Sequence, residues 1–311
     1  MHIRTNQRLN KIFRPLIIFS EWLGEHHPIT LAKIRYFVRF KKCLNLKNPK
    51  TLNEKILFLS LKTDTSLWTR CADKYEVRGY VEEKGLKDIL IPFIGVWNKA
   101  SDIDFSSLPN EFVLKTTHGS GDALIVKDKS KIDWPLACKT FEKELSTRYG
   151  AVESGQHYMR ITPRILAEEL ICNDAETAKF SSSLIDYKMW CFNGKCYYIW
   201  TCANRDKHST EVMTYDREWN AHPEYSVFND NYRKGRLLPK PENFERMREI
   251  AEKLSEDFPC VRVDLYNING DIYFGELTFT SLGGLMNFYT DDFLLRAGDL
   301  IDLSSVEINN L

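Results

Sequence analysis

The sequence predicts an α+β fold. Two pairs of strand-like segments are each split by a short turn signal, which argues for antiparallel hairpins: residues 184–192 and 195–203 across Asn193-Gly194, and residues 261–266 and 271–278 across Asn267-Ile268-Asn269-Gly270. Helical stretches lie between these pairs instead of alternating with single strands, so a parallel doubly wound sheet is not expected. With 311 residues and 43% hydrophobic side chains, the chain is long and apolar enough for two or three domains around a substantial core.

The elements follow in order. Residues 1–50 read as helices with a basic face, carrying eleven Lys or Arg against two acids in a chain whose net charge is zero. Their apolar cluster, Ile12-Phe13-Arg14-Pro15-Leu16-Ile17-Ile18-Phe19 followed by Glu21-Trp22-Leu23, is too short to span a membrane and lacks a small-residue cleavage site. It suits either an anionic membrane surface, through residues 1–24, or the protein's own body, the commoner fate of a short amphipathic terminus. Thr51-Leu52-Asn53-Glu54 opens a capped helix. Residues 71–78 begin another, capped by Asp73 and ending near Gly85. Residues 89–97, 111–115, 123–126 and 164–171 read as strands, and 134–149 and 241–258 as helices. None of the eight cysteines forms a Cys-x-x-Cys pair, and Cys191, Cys196 and Cys202 with His208 have poor zinc spacing. Reduced, packed thiols of a cytosolic protein are expected.

The last hairpin carries the chemistry. Its strands should be buried, yet they hold Arg262, Asp264, Glu276 and Thr278. Two carboxylates facing each other repel unless a divalent cation sits between them; the plainer alternative is a surface hairpin with an Asp–Arg pair. A two-residue loop at Asn269-Gly270 would pair Asp264 with Gly275 and turn Glu276 away. A three-residue loop, Asn269-Gly270-Asp271, would set Asp264 opposite Glu276 and Arg262 opposite Thr278. The metal reading requires the odd loop. Upstream, Lys115 precedes a glycine loop, His118-Gly119-Ser120-Gly121, between two strands; such loops let backbone N–H groups approach anionic oxygens. The sequence is not a Walker A loop. Glu168-Glu169-Leu170-Ile171 ends a strand, where backbone groups can read an adenine edge. Asp186 and Lys188 share a strand face, and Arg205 follows the partner strand as a candidate phosphate clamp.

In this order the motifs resemble the ATP-grasp superfamily, and more closely the TupA-like ATP-grasp family, linked to teichuronopeptide and other cell-surface polysaccharide biosynthesis. The resemblance runs from about Leu52 to about Asp302 and is most specific over residues 261–284, with Asn53-Glu54-Lys55-Ile56 and Ala72-Asp73-Lys74 pointing to the particular family. It implies an ATP-grasp fold, two α+β subdomains gripping ATP between antiparallel sheets, with a basic helical N-terminal extension. The expected division is 1–50 for that extension, 51–110 for a helical and strand subdomain, 111–172 for the lid and 173–311 for the metal-bearing subdomain. By the resemblance, Lys74 and Lys115 contact ATP phosphates and the loop His118 to Gly121 closes over them. Glu168, Glu169, Leu170 and Ile171 form the adenine hinge, Asp186 lies near the ribose and Lys188 near the γ-phosphate. Asp264 and Glu276 hold Mg²⁺, and Arg262 steadies the transferring phosphoryl group. Where many relatives have Glu-x-Asn, this chain has Glu276-Leu277-Thr278, and a hydroxyl is a weaker metal ligand than an amide carbonyl. No Rossmann-like pattern precedes the core.

The implied chemistry is carboxylate activation. A carboxylate attacks the γ-phosphate of ATP, and an amine then displaces phosphate from the acyl phosphate to give an amide. In the family's setting the acid is a uronic acid and the amine an amino acid or amino alcohol. The enzyme is expected in the cytoplasm, at most peripheral at the inner face of the membrane, with no nucleic-acid partner. Two rivals stand beside this reading. A glycosyltransferase would use Asp102-Ile103-Asp104, which otherwise reads as a turn; a nucleotide-binding scaffold would owe its loss of catalysis to Thr278.

Overall fold

The computed structural model describes residues 7–309, with side chains from Arg14 onward. Residues 1–6 of the expected membrane arm lie outside the described residues. The chain opens with two consecutive helices, α1 (Gln7–His26) and α2 (Pro28–Phe40). Helix α3 (Leu52–Lys62) starts at the expected cap: the Thr51 hydroxyl accepts from the Glu54 N–H at 3.3 Å, while the Glu54 carboxylate accepts from the Thr51 N–H at 3.1 Å. Two short helices follow, α4 (Ser66–Ala72) and α5 (Val77–Glu83). The single helix expected from residue 71 is therefore broken. The Asp73 carboxylate accepts from the N–H groups of Tyr75 (2.8 Å) and Glu76 (3.2 Å), which holds residues 73–76 in a turn and leaves Lys74 outside either helix.

Strands β1 (Phe93–Trp97), β2 (Phe112–Thr116), β3 (Leu124–Val126) and β4 (Ile165–Glu168) form an antiparallel sheet of order β1-β4-β2-β3. It draws strands from both sides of residue 110. Helix α6 (Trp134–Leu145) covers it, and Phe112, Leu114, Val126, Phe141, Ile165 and Ala167 make its core. A short helix, α7 (Gln156–Met159), leads back to β4.

The second sheet contains β5 (Asp186–Phe192), β6 (Lys195–Ala203), β7 (Thr210–Asp216), β8 (Tyr232–Lys234), β9 (Cys260–Ile268) and β10 (Asp271–Thr278). Its order is β10-β9-β5-β6-β7-β8, antiparallel except at β7–β8. The β5–β6 turn forms where expected, with φ of 48° at Asn193 and 76° at Gly194. Helix α8 (Phe244–Ser255) packs Met247, Ile250, Ala251 and Leu254 onto β5, β6 and β9, and α9 (Asp291–Asp299) packs on α3. β7, β8 and α9 carried no sequence signal of their own. All eight cysteines are free, with Cys71, Cys191, Cys196, Cys202 and Cys260 buried and Cys43 and Cys172 exposed.

The N-terminal helices meet the expectation of a docked apolar face only in part. Leu23 on α1 and Leu31, Ala32 and Tyr36 on α2 are buried, but Leu16, Ile17, Ile18, Phe19 and Trp22 face solvent. Among the described residues, no helix is long and apolar enough to cross a membrane.

Candidate active site

The β9–β10 hairpin brings Asp264 directly opposite Glu276 and Arg262 opposite Thr278, by a route the sequence reading did not foresee. The loop is the two-residue one, with Asn269 at φ 51° and Gly270 at φ 89°, pairing Ile268 with Asp271. The register then shifts by one residue between Phe274 and Glu276. A β-bulge at Gly275 therefore does what an odd loop was expected to do. Glycine suits this position, because a Cβ here would stand 3.0 Å from the Asp264 carbonyl oxygen and 3.2 Å from the Tyr266 ring.

Arg262 occupies the centre of the cluster. Its Nε donates to Asp264 Oδ1 at 2.7 Å and its Nη2 to Asp264 Oδ2 at 2.7 Å, a two-pronged pairing. The same Nη2 donates to Thr278 Oγ1 at 3.0 Å and to Glu276 Oε1 at 3.4 Å, while Nη1 donates to Ser281 Oγ at 2.7 Å. Asp264 and Arg262 are buried; the Glu276 side chain is 43% exposed, and its Oε1 also accepts from Thr278 Oγ1 at 3.2 Å. Lys188, opposite Asp264 in the β5–β9 pairing, donates to Asp264 and lies 3.4 Å from Asp186. Burial alone would strip its charge, but Asp186 and Asp264 outweigh burial and hold the Lys188 pKa above the ordinary lysine value. Burial likewise opposes the Asp264 charge, and Arg262 and Lys188 reverse it, so that carboxyl lies below its usual range. Arg205 donates to Asp186 at 2.6 Å and is half exposed.

The small sheet supplies the opposite wall. Lys115 pairs with Glu168, whose other oxygen lies 3.1 Å from Arg78. Glu168 is thus engaged in steering Lys115, and Glu169, Leu170 and Ile171 continue past it into the open. Lys74 donates to the Gly119 carbonyl, and burial lowers its pKa against the pull of Glu276 and Asp122. The loop is tight: Asp122 accepts from Thr116 N at 2.9 Å, and a Cβ on Gly119 would meet the Thr116 hydroxyl at 2.6 Å. Ser120 and Gly121 are exposed at its tip, and buried His118 faces the Thr147 carbonyl at 3.3 Å.

A cleft of about 580 Å³ runs between the sheets. Lys115, Glu168, Glu169, Leu170, Ile171 and Asp186 line it together with Arg205, so half of the expected nucleotide residues converge; Lys74 and His118 to Gly121 are not part of its wall. Ile91, Lys127, Tyr266 and Gly275 line it as well, and only their flanking position in strands and turns pointed to them. A second pocket of about 220 Å³ shares Arg205 with the cleft. Lys188, Arg262, Thr210, Ser281, Trp200, Tyr232 and Phe288 line this one, and its named charged residues are all cationic. Trp200 stacks on Phe288 at 4.3 Å, and its buried Nε1 has no partner. Asp104, by contrast, accepts from Ser106 N at 3.0 Å and Ser106 Oγ at 2.6 Å in an exposed turn, as its polar surroundings suggested.

A family profile described as TupA-like ATPgrasp matches residues 54–302, most of the chain. No curated protein matches. Among solved structures, the L-amino acid ligase from Bacillus licheniformis superposes with a TM-score of 0.50 at 13% identity, covering 85% of this chain and 57% of that one. The D-alanine–D-alanine ligase from Bacillus anthracis gives 0.46 at 16%, covering 76% and 64%. The VanG D-Ala:D-Ser ligase from Enterococcus faecalis gives 0.42 at 14%, covering 78% and 63%. The chain spans less than two thirds of the length of each. Likeness at such identities speaks to the fold, and the α+β, ATP-grasp architecture expected from the sequence is the one observed.

Proposed function

Because the chain belongs to the TupA-like ATP-grasp family, we propose that it is an ATP- and Mg²⁺-dependent carboxylate–amine ligase working through an acyl phosphate. The observation that carries this reading is the adjacency of the two pockets at Arg205, which lines both: a cleft between two sheets, of a volume that suits a nucleotide, lies beside a smaller cationic pocket. The backbone of Glu169, Leu170 and Ile171 meets the adenine edge, and Lys115 and Lys74 receive the phosphates under the His118–Gly121 loop.

Of the oxygen donors Asp264, Glu276 and Thr278, the half-exposed Glu276 carboxylate is the freest to hold Mg²⁺, which is commonly held by one or two carboxylates with substrate phosphates completing its shell; Asp264 would join it by giving up a bond to Arg262 or Lys188, which engage both its oxygens. When bound, the ion neutralises phosphate charge. The chain's own part is positioning. Arg262, fixed by Asp264 and Ser281, and Lys188, fixed by Asp186 and Asp264, face the transferring phosphoryl group with rotamers already set. An oxygen of the acid bonds to the γ-phosphorus as the bond to the ADP oxygen breaks. The amine nitrogen then bonds to the acyl carbon, phosphate leaves, and a proton is lost from the nitrogen. Cationic side chains and the Trp200, Tyr232 and Phe288 rings suit an acid carried on a ring, and the family's setting makes a uronic acid of a cell-surface polysaccharide (capsule, O-antigen or teichuronopeptide type) the first substrate to try. The amine is an amino acid or amino alcohol.

Mg-ATP at a hundred times its Kd should raise unfolding stability by about 2.7 kcal/mol, seen as a thermal shift that UDP-sugars do not give. ADP release should then depend on both Mg²⁺ and a uronic acid. Stabilisation by UDP-sugar alone would end the ligase reading, and ATP binding with no ADP from any acid and amine pair would leave a scaffold.

A further inference from the structure

We propose that α1 and the outer face of α2 form an in-plane anchor that seats the protein on an anionic lipid surface. Of 17 exposed large hydrophobic side chains among the described residues, eight fall between residues 16 and 38, so exposure of this kind is concentrated in one small part of the chain. Leu16 is 61% exposed and Phe19 56%, and Ile17, Ile18 and Trp22 are also open, leaving this stretch of α1 without packing of its own. On α2, Ile34, Phe37 and Val38 recur at the spacing of one helical face and are exposed together. Trp22 stacks on His26 at 5.1 Å, giving an aromatic group of the kind favoured at the headgroup level.

Charge selects the occupant. Residues 1–50 hold eleven Lys or Arg and two acids. Glu25, one of the two, is engaged with Arg148 at 2.5 Å. Arg14, Lys33, Arg39 and Lys41 are exposed around the apolar side chains. A second copy would bring an equally basic face against this one, whereas an anionic lipid surface neutralises it. No helix among the described residues can span a bilayer, so the mode is lying on the surface. The anchor is tied to the catalytic body: Arg39 Nη2 donates to Asn287 Oδ1 at 2.7 Å, next to Phe288 of the second pocket.

The full chain should sediment with phosphatidylcholine vesicles containing phosphatidylglycerol, not with phosphatidylcholine alone, and high salt should release it. Phe19→Glu/Trp22→Glu should weaken this binding about tenfold or more while its soluble ADP release and melting temperature stay those of the parent. Lys33→Glu/Lys41→Glu should weaken it too, leaving the apolar face intact. Equal binding to both vesicle types, or undiminished binding by the first variant, overturns the proposal. So does failure to bind vesicles together with a parent dimer that the first variant converts to monomer in gel filtration, which would assign the face to a second copy. None of these outcomes bears on ATP turnover, so the ligase reading stands or falls separately.

Discussion

Asp264 and Glu276 face each other across two strands, yet their surroundings set them different tasks. Asp264 neutralises two buried cations, Arg262 and Lys188, and removing its charge leaves both short of a partner. Breaking such a buried arrangement costs about 3–5 kcal/mol. Asp264→Asn should therefore lose ATP turnover and melt early, which makes it a poor probe of metal binding alone. Glu276 is 43% exposed and only 3.4 Å from Arg262. Glu276→Gln should keep its urea midpoint while kcat for ADP release falls about a hundredfold or more. A midpoint that dropped as far as that of Asp264→Asn would show Glu276 to be structural. The residue types at this site were legible in the sequence, because buried charges stand out from strand alternation. Their partners were not. That Arg262 bridges Asp264, Thr278, Glu276 and Ser281 depends on side-chain directions from four chain positions, which no spacing along one strand reveals.

At the level of elements, the hairpin shows how a correct outcome can follow from an incorrect route. The turn formed as Asn-Gly chemistry demands, and the register was corrected by a bulge eleven residues beyond Asp264 in sequence. Gly275, a lone glycine inside a strand, was the signal for that bulge. Gly275→Val adds atoms where a Cβ already sits 3.0 Å from backbone, so it should lower stability by about 1–3 kcal/mol and weaken ATP binding by re-aiming Glu276. Urea unfolding and a nucleotide titration check the two halves. Elsewhere, elements with local signals formed near their expected places: the α3 cap, the β5–β6 turn, α8. The helix expected behind Asp73 starts late, at Val77, because the Asp73 carboxylate holds residues 73–76 in a turn, which sets Lys74 beside the glycine loop.

Across the whole molecule, the architecture depends on pairings between distant segments. β1 joins β4 across some seventy residues, and β9 inserts beside β5, so neither sheet order was readable from neighbouring turns. What did carry over was the sequence of chemical groups along the chain, since half of the expected nucleotide residues converge on one cleft. The chain passes from the small sheet to the large one along the floor of that cleft, through residues 169–185, and one sulfur lies on the way. Cys172 lines the cleft and is open to solvent; Cys43 is open and not part of the cleft wall; Cys138 is half-buried, to be replaced by serine before labelling; the other five thiols are buried. The molecule therefore contains its own footprinting pair. A maleimide should tag both in the free protein, and bound nucleotide should shield position 172 while leaving position 43 as reactive as before, reporting occupancy by mass without any turnover.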